Sequence, residues 1–276
     1  MAEHDNGKFD AGSYWRERVV SGSDLGVVGH RSMGLAYNAQ IYERRIEVLN
    51  AMLARHSSKP FSELRVLDIG CGSGFYTRYW AEQGVRDYVG IDISSATIER
   101  LSQTYTDYEF INADITEDSV ALLEGRSAFD IVTVFDVFYH IVDEPRFANA
   151  VRQIGAMTAD SGLVLVMDQV CPQRYQLSKH VVYRQRDDYL KEFEDAHLGF
   201  VDSELLFHYL VPPLSGRRSI DLAAAGLFKS AGLVMRVSDR IASWTATRLR
   251  RLDSGLRASG RRVSNSEMFA FRKSRS

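Results

Sequence analysis

Five aspartates carry the first chemical signal in this chain of 276 residues: Asp68, Asp92, Asp114, Asp136 and Asp168 each stand at or near the end of a short apolar run. Three glycines follow the first of them, in the text Val66-Leu67-Asp68-Ile69-Gly70-Cys71-Gly72-Ser73-Gly74. Glycines at alternate positions permit backbone angles, and approach of a ligand to the main chain, that a Cβ obstructs. N–H groups at a helix start after such a loop favour a polar or anionic ligand group. Asp92 closes the run Tyr88-Val89-Gly90-Ile91-Asp92, 22 residues after Gly70. A carboxylate at that distance suits the end of a second strand, where it grips ribose hydroxyls. Taken alone, the loop also reads as a plain strand-to-helix turn. The Gly-x-Gly-x-x-Gly spacing of nicotinamide and flavin folds is absent, because the spacing here is Gly-x-Gly-x-Gly.

The elements that must position these residues alternate in type. Apolar runs at 66–69, 88–92, 108–113, 129–136 and 162–168 read as strands, and 75–83, 94–105, 145–157 and 187–197 read as helices, with Ser94 or Ser95 as the cap of the second. The run at 129–136 is nearly continuous in apolar residues, as a parallel strand buried on both faces requires. A sixth strand is expected at 199–210 and the last at 265–272. This repetition predicts a doubly wound α/β fold: a mostly parallel seven-stranded sheet with helices on both faces, whose ligands sit at the carboxyl ends of the strands. Ahead of it, 1–58 reads as a helical lid with a long helix at 36–54 and a glycine-rich connector at 29–34 in which Arg31 is a candidate for a ligand carboxylate. The expected division is lid 1–58, core 59–211, a basic helical insertion 212–262, and the last core strand 263–276.

On these residues the chain resembles the class I, Rossmann-like, S-adenosylmethionine-dependent methyltransferases over roughly 60–211 plus the last strand. The resemblance implies S-adenosylmethionine as cofactor. It places the amino-acid portion at Asp68, Gly70, Cys71, Gly72 and Gly74, and the ribose at Asp92 with Ile93. The adenine falls beside Asn112, Asp114 and Ile115, and the methyl donor near Asp136 and Val137. The fourth strand runs into Asp136-Val137-Phe138-Tyr139-His140. Enzymes that methylate exocyclic amines of DNA, or glutamine amides, usually carry Asn/Asp-Pro-Pro-aromatic there. The text instead is similar to the small-molecule, sugar O-methyltransferase-like branch, which often has a His at this place.

An alcohol acceptor needs a base. His140 is the foremost candidate, because histidine is the residue type whose charge changes near neutral pH, with Asp136 and Asp168 as further catalytic candidates and His180 behind them. The competing reading of His140 is a structural residue bonded to its loop. Asp136, Asp168 and nearby histidines also form a candidate magnesium site, which no tight ligand spacing supports. The implied reaction is O-methylation of a sugar, glycan or glycolipid hydroxyl. N- or C-methylation of a natural product is the alternative, as is a protein that binds S-adenosylmethionine without transferring methyl.

Composition narrows the partners. The net charge is −2, 45% of residues are apolar, and Cys71 and Cys171 lie far apart in the sequence. That balance makes no case for nucleic acid, and two distant cysteines suit a reducing cytoplasm. No basic–apolar leader opens the text, so secretion is not expected. The charge is uneven, however. Residues 212–262 hold eleven Lys and Arg against Asp221, Asp239 and Asp253, a net +8, which leaves −10 on the remainder. Ile241, Trp244, Leu249, Leu252 and Leu256 stripe this insertion at helical spacing. Three readings stand for it: a helical cap or homodimer contact, an amphipathic surface for peripheral membrane contact, and a site for an anionic acceptor. The Tyr14-Trp15 text, Gly29-His30-Arg31-Ser32 and this insertion are loosely similar to bacterial methyltransferases found with glycan-building enzymes.

Overall fold

The computed structural model describes residues 34–117, 123, 128–208, 210–235, 238–258 and 265–274. The connector at 29–33, Arg31 and the Tyr14-Trp15 text lie outside them. The first described element is helix α1 (Gly34–His56). A central parallel set follows: β1 (Arg65–Ile69), α2 (Phe75–Glu82), β2 (Asp87–Asp92), α3 (Ser95–Thr104), β3 (Glu109–Asn112), β4 (Phe129–Phe135), α4 (Glu144–Met157) and β5 (Thr158–Gln169). Next come a two-stranded hairpin, β6 (Tyr175–Ser178) and β7 (Val181–Tyr183), helix α5 (Arg186–Asp195), β8 (Leu198–Leu205), helices α6 (Arg218–Met235) and α7 (Asp239–Ala258), and β9 (Ser266–Lys273).

Seven strands form one sheet in the order β3-β2-β1-β4-β5-β9-β8. The first five are parallel, and β9 runs antiparallel to both β5 and β8. Each face of the sheet has its own core. On β4, Ile131 and Phe135 join Leu49, Met52 and Trp80 from α1 and α2 on one face. Val132 and Val134 join Phe147, Val151 and Phe193 from α4 and α5 on the other. Both faces of β4 are covered, which explains its near-continuous apolar text. Each large side chain so buried contributes about 1.5–3 kcal/mol.

The helix starts follow local chemistry. The Ser94 hydroxyl accepts from the Thr97 N–H at 3.3 Å, and the Asp143 carboxylate accepts from the Arg146 N–H at 3.0 Å with Pro145 in the first turn.

Two expectations need correction. The sixth strand ends at Leu205, not 210. Beyond it, Leu206 and Phe207 are fully buried; the Leu206 N–H makes a last bond to the Ser266 carbonyl of β9 at 2.9 Å, and from there side chains from two helices take the backbone groups. Arg44 of α1 donates to the carbonyl of Leu206 at 3.3 Å, and Tyr37 donates to that of Leu210 at 2.6 Å. From α7, the Asp253 carboxylate accepts the N–H groups of His208 at 2.9 Å and Leu210 at 3.3 Å. Strand pairing thus gives way to side-chain capping. Second, the stretch between the fifth strand and the helix expected at 187–197, for which no strand is expected, holds the β6–β7 hairpin.

The insertion is a helical pair. Arg250 of α7 bonds Gln40 of α1 at 3.0 Å and pairs with Glu43 and Glu47 on the same helix. Replacing Asp253 by Ala leaves two buried N–H groups without their acceptor. The expected loss is about 2 kcal/mol of stability, read by urea unfolding, with the secondary structure otherwise retained.

Candidate functional site

The carboxyl ends of β1, β2, β3 and β4 share one edge of the sheet, and most of the expected site residues meet there. Directly after β1 the chain turns through Gly70, Gly72 and Gly74, at φ +77°, +50° and +79°. These angles suit glycine, and a Cβ on Gly70 would collide with the Val137 side chain. The Gly70 N–H donates to the carbonyl of Ile91 at 2.7 Å, which holds the turn against β2. A Cβ at Gly72 would meet the Gly70 carbonyl at an ordinary van der Waals distance of 3.6 Å, so the left-handed backbone and not crowding selects glycine there.

Asp92 faces this turn. One carboxylate oxygen accepts the Gly72 N–H at 2.9 Å and the other the Ser94 N–H at 2.8 Å. Burial pushes its carboxyl up from the ordinary range, and the two N–H groups oppose that shift. Asn112, paired with Asp92 across β2 and β3, donates its side-chain amide to the Asp92 carbonyl at 2.9 Å. Ile93 follows Asp92, half-buried. Asp114 accepts from the Thr116 N–H at 2.9 Å and pairs with Arg146 at 2.6 Å, beside the buried Ile115.

At the end of β4, Asp136 adopts φ +59°, rare for a residue with a side chain, while its N–H donates to the Met167 carbonyl at 2.8 Å. Its carboxylate pairs with Arg45 of α1, a partner the sequence did not suggest. Four residues on, His140 lies in a short helical turn, Phe138–His140. Its Nδ1 is 3.0 Å from the backbone carbonyl of His180 in the β6–β7 connection, and the His180 ring stacks over it at 6.2 Å. A carbonyl can only accept, so Nδ1 carries the proton and the ring's lone pair sits on Nε2.

Two expected site residues are instead enclosed. Asp68 is 1% exposed, and its oxygens accept from the Tyr88 hydroxyl at 2.8 Å and Thr133 at 2.7 Å. Asp168 is fully buried and accepts the N–H groups of Tyr139 at 3.1 Å and Gln169 at 2.7 Å. Placed this way, Asp168 holds the turn that carries His140 in position. Cys71 is also buried, as a free thiol. Arg184, again unforeseen, is wholly buried and donates to the carbonyls of Phe138 at 2.8 Å and Ile141 at 2.6 Å while pairing with Glu144. Among the described residues no group of three His, Cys, Asp or Glu side chains is arranged to hold a metal ion. Asp136 and Asp168, the candidate magnesium ligands that no spacing supported, are engaged with Arg45 and with backbone N–H groups.

The family model described as "Methyltransferase domain" matches residues 38–217. The chain belongs to this methyltransferase-domain family. A ubiquinone biosynthesis O-methyltransferase of Azorhizobium caulinodans is 30% identical over 129 residues, which is 44% of this chain and 49% of that protein. The chain thus spans about half the length of the curated relatives it matches. Two solved structures share the fold at low identity. Magnesium protoporphyrin IX methyltransferase from Synechocystis PCC 6803, with bound S-adenosylmethionine, aligns with a TM-score of 0.56 and 13% identity over 98% of this chain and 100% of its own. The 1,6-didemethyltoxoflavin-N1-methyltransferase of Burkholderia thailandensis aligns with a TM-score of 0.54 and 16% identity, over 98% and 93%.

Within this methyltransferase-domain protein the two enclosed carboxyls set a pH dependence. Burial, with the Asp136 charge adding to it, raises Asp168 to about 7, and burial raises Asp68 to about 6. Unfolded carboxyls titrate near ~3.9. At these two groups the folded chain therefore holds more protons than the unfolded chain between about pH 4 and pH 7, and their contribution to stability falls as pH rises through that window. Asp168→Asn is expected to flatten the slope, measured as the difference in urea midpoint between about pH 5 and about pH 8.

Proposed function

We propose that this chain is an S-adenosylmethionine-dependent methyltransferase acting on a hydroxyl oxygen of a small molecule, with His140 as general base. The observation that carries the proposal is the convergence of the Gly70–Gly74 turn, Asp92 and His140 on one strand edge. Main chain without a side chain at Gly72 and the Asp92 carboxylate beside it fit the cofactor. Asp92, oriented by the Gly72 and Ser94 N–H groups, would hold the ribose hydroxyls. Gly70, Cys71, Gly72 and Gly74 would present main chain to the amino-acid portion. Asn112, Asp114 and Ile115 would flank the adenine, with Ile93 next to the ribose. Val137 packs over Gly70, and Asp136 would border the methyl donor with its charge matched by Arg45.

S-Adenosylmethionine, when bound, supplies a methyl group already activated on a sulfonium, so placement accounts for much of the rate. The protein's chemical task is the acceptor proton. With Nδ1 donating to His180, the His140 Nε2 accepts the hydroxyl proton as the oxygen is methylated. Asp168 and Arg184 are positioning residues in this scheme, since they bind the turn that carries His140 and not the reactants. Asp68 likewise anchors the root of the glycine turn from below.

Oxygen is favoured because ubiquinone biosynthesis O-methyltransferases, named for that reaction, are among the relatives matched in sequence. Their name also favours a small acceptor of the ubiquinone-pathway kind over the sugar or glycan that the N-terminal text suggested. Much of that text lies outside the described residues. Nitrogen methylation is the second reading, raised by the N1-methyltransferase with the same fold. An amine acceptor would not need His140 as a base.

Asp92→Ala is expected to weaken S-adenosylmethionine and S-adenosylhomocysteine binding by about 1–3 kcal/mol in calorimetry, the scale of hydrogen bonds lost to a charged group. Should the wild-type chain bind neither compound, the cofactor assignment falls. His140→Ala is expected to keep cofactor affinity while turnover drops by roughly 10²–10⁴. Turnover is read as S-adenosylhomocysteine released with a panel of hydroxylated aromatic and sugar acceptors. Full turnover in that variant would leave His140 a structural residue and favour the nitrogen reading.

A further inference from the structure

Among the described side chains of α6 and α7, two acids point inward and most of the bases point outward. Asp221 and Asp253 are only 6% and 3% exposed. The first accepts from Ser215 and from the Tyr175 hydroxyl at 2.6 Å, and the second from the backbone of the 206–210 stretch. Of the described cations, Arg250 faces α1, where it pairs with Glu43 and Glu47. Arg217, Arg218, Lys229, Arg240, Arg248 and Arg251 are exposed.

Both helices also expose large apolar side chains, although on α6 helical spacing sets Leu222 about 140° or more from Ile220 and Leu227. On α6 these are Ile220, Leu222 and Leu227, the last 74% exposed, and on α7 Ile241, Trp244 and Leu252, the last two 61% and 62% exposed. Helical spacing places Ile241, Trp244, Arg248, Arg251 and Leu252 within an arc of about 100°. The Arg248 guanidinium lies 4.9 Å over the Trp244 ring, so cation and indole share one face of the helix.

Apolar side chains and arginines intermixed on a solvent face match a bilayer interface. The ring and aliphatic groups enter the headgroup layer, and the guanidiniums meet lipid phosphates. A second copy of this chain is a poorer occupant. A two-fold contact through α7 would bring the Arg248 and Arg251 charges of both copies together in a buried patch. No helix among the described residues is long and apolar enough to cross a membrane, so the contact is peripheral.

We propose that the outward face of α6 and α7 docks this protein on a membrane surface rich in anionic phospholipid. None of the residues named on this face belongs to the cofactor or proton-transfer site, and the contact does not depend on methyl transfer.

The test is co-sedimentation of the full chain with vesicles of phosphatidylcholine alone and of phosphatidylcholine mixed with phosphatidylglycerol. Binding to the mixed vesicles is expected to be tighter by roughly tenfold or more and to fall as salt rises. Trp244 emission, isolated by difference from Trp244→Phe, should move to the blue on binding. Two double variants, Arg248→Glu with Arg251→Glu and Trp244→Ser with Leu252→Ser, should each weaken vesicle binding by roughly tenfold or more. All four residues are exposed, so thermal unfolding and S-adenosylmethionine binding should stay as in the wild type. The proposal is overturned by absence of binding to either vesicle, or by binding that neither double variant weakens. A lipid-free dimer that both double variants dissolve would also overturn it and assign the face to a second copy.

Discussion

The arrangement rests on a buried carboxylate. Asp68, in the middle of the sheet, accepts from Tyr88 on β2 and Thr133 on β4, so one side chain ties three adjacent strands together beneath the glycine turn. A group enclosed this way is costly without partners and well held with them. The hydroxyls of Tyr88 and Thr77 extend the network to α2, the helix that the turn begins. The path of the chain from Gly70 to Gly74 is thereby set from below by Asp68 and from the side by Ile91 and Asp92. Everything that meets at this edge inherits its position from that root.

The second half of the site is held by ions rather than strands. Asp136 leaves β4 with a left-handed backbone and is met by Arg45 from α1. The turn that follows would expose its carbonyls inside the protein, and Arg184 takes two of them. Asp168 takes the Tyr139 N–H from the opposite direction. A fully buried arginine and a fully buried aspartate thus grip the same three-residue helical turn. The Arg184 guanidinium also lies 4.1 Å over the Phe147 ring, which lets it sit in an apolar core at lower cost. His140 is precise in position because groups of both charges hold its backbone, and its ring is set by the carbonyl of His180.

The outer layer follows a different logic. Helix α7 lies against α1 through Arg250 and supplies Asp253 to the stretch after β8, so the insertion is part of how the sheet edge is closed. Its inward face is determined by those bonds. Its outward face, with Trp244, Leu252 and the arginines, contributes nothing to that closure. The apolar side chains and arginines intermixed there are what the proposed membrane contact rests on.

The sequence by itself determined what depends on neighbours along the chain. The apolar runs of a parallel sheet, the three glycines, the cap at Ser94 and the place of Asp92 are local in origin. A run buried on both faces is apolar throughout, and a left-handed turn selects glycine. The tertiary structure alone decided where charges point. Arg45 and Asp136 are 91 residues apart in sequence, and Arg184 and Phe138 are 46 apart, so spacing carries no sign of either pair. For the same reason Asp68 and Asp168 looked like their neighbours at strand ends, although the fold encloses both. Strand β8 stops at Leu205 because groups on α1 and α7 compete for its backbone, and no local propensity reports that. A charge or a strand end is settled by what the fold brings within about 3 Å of it, and that distance is not written along the chain.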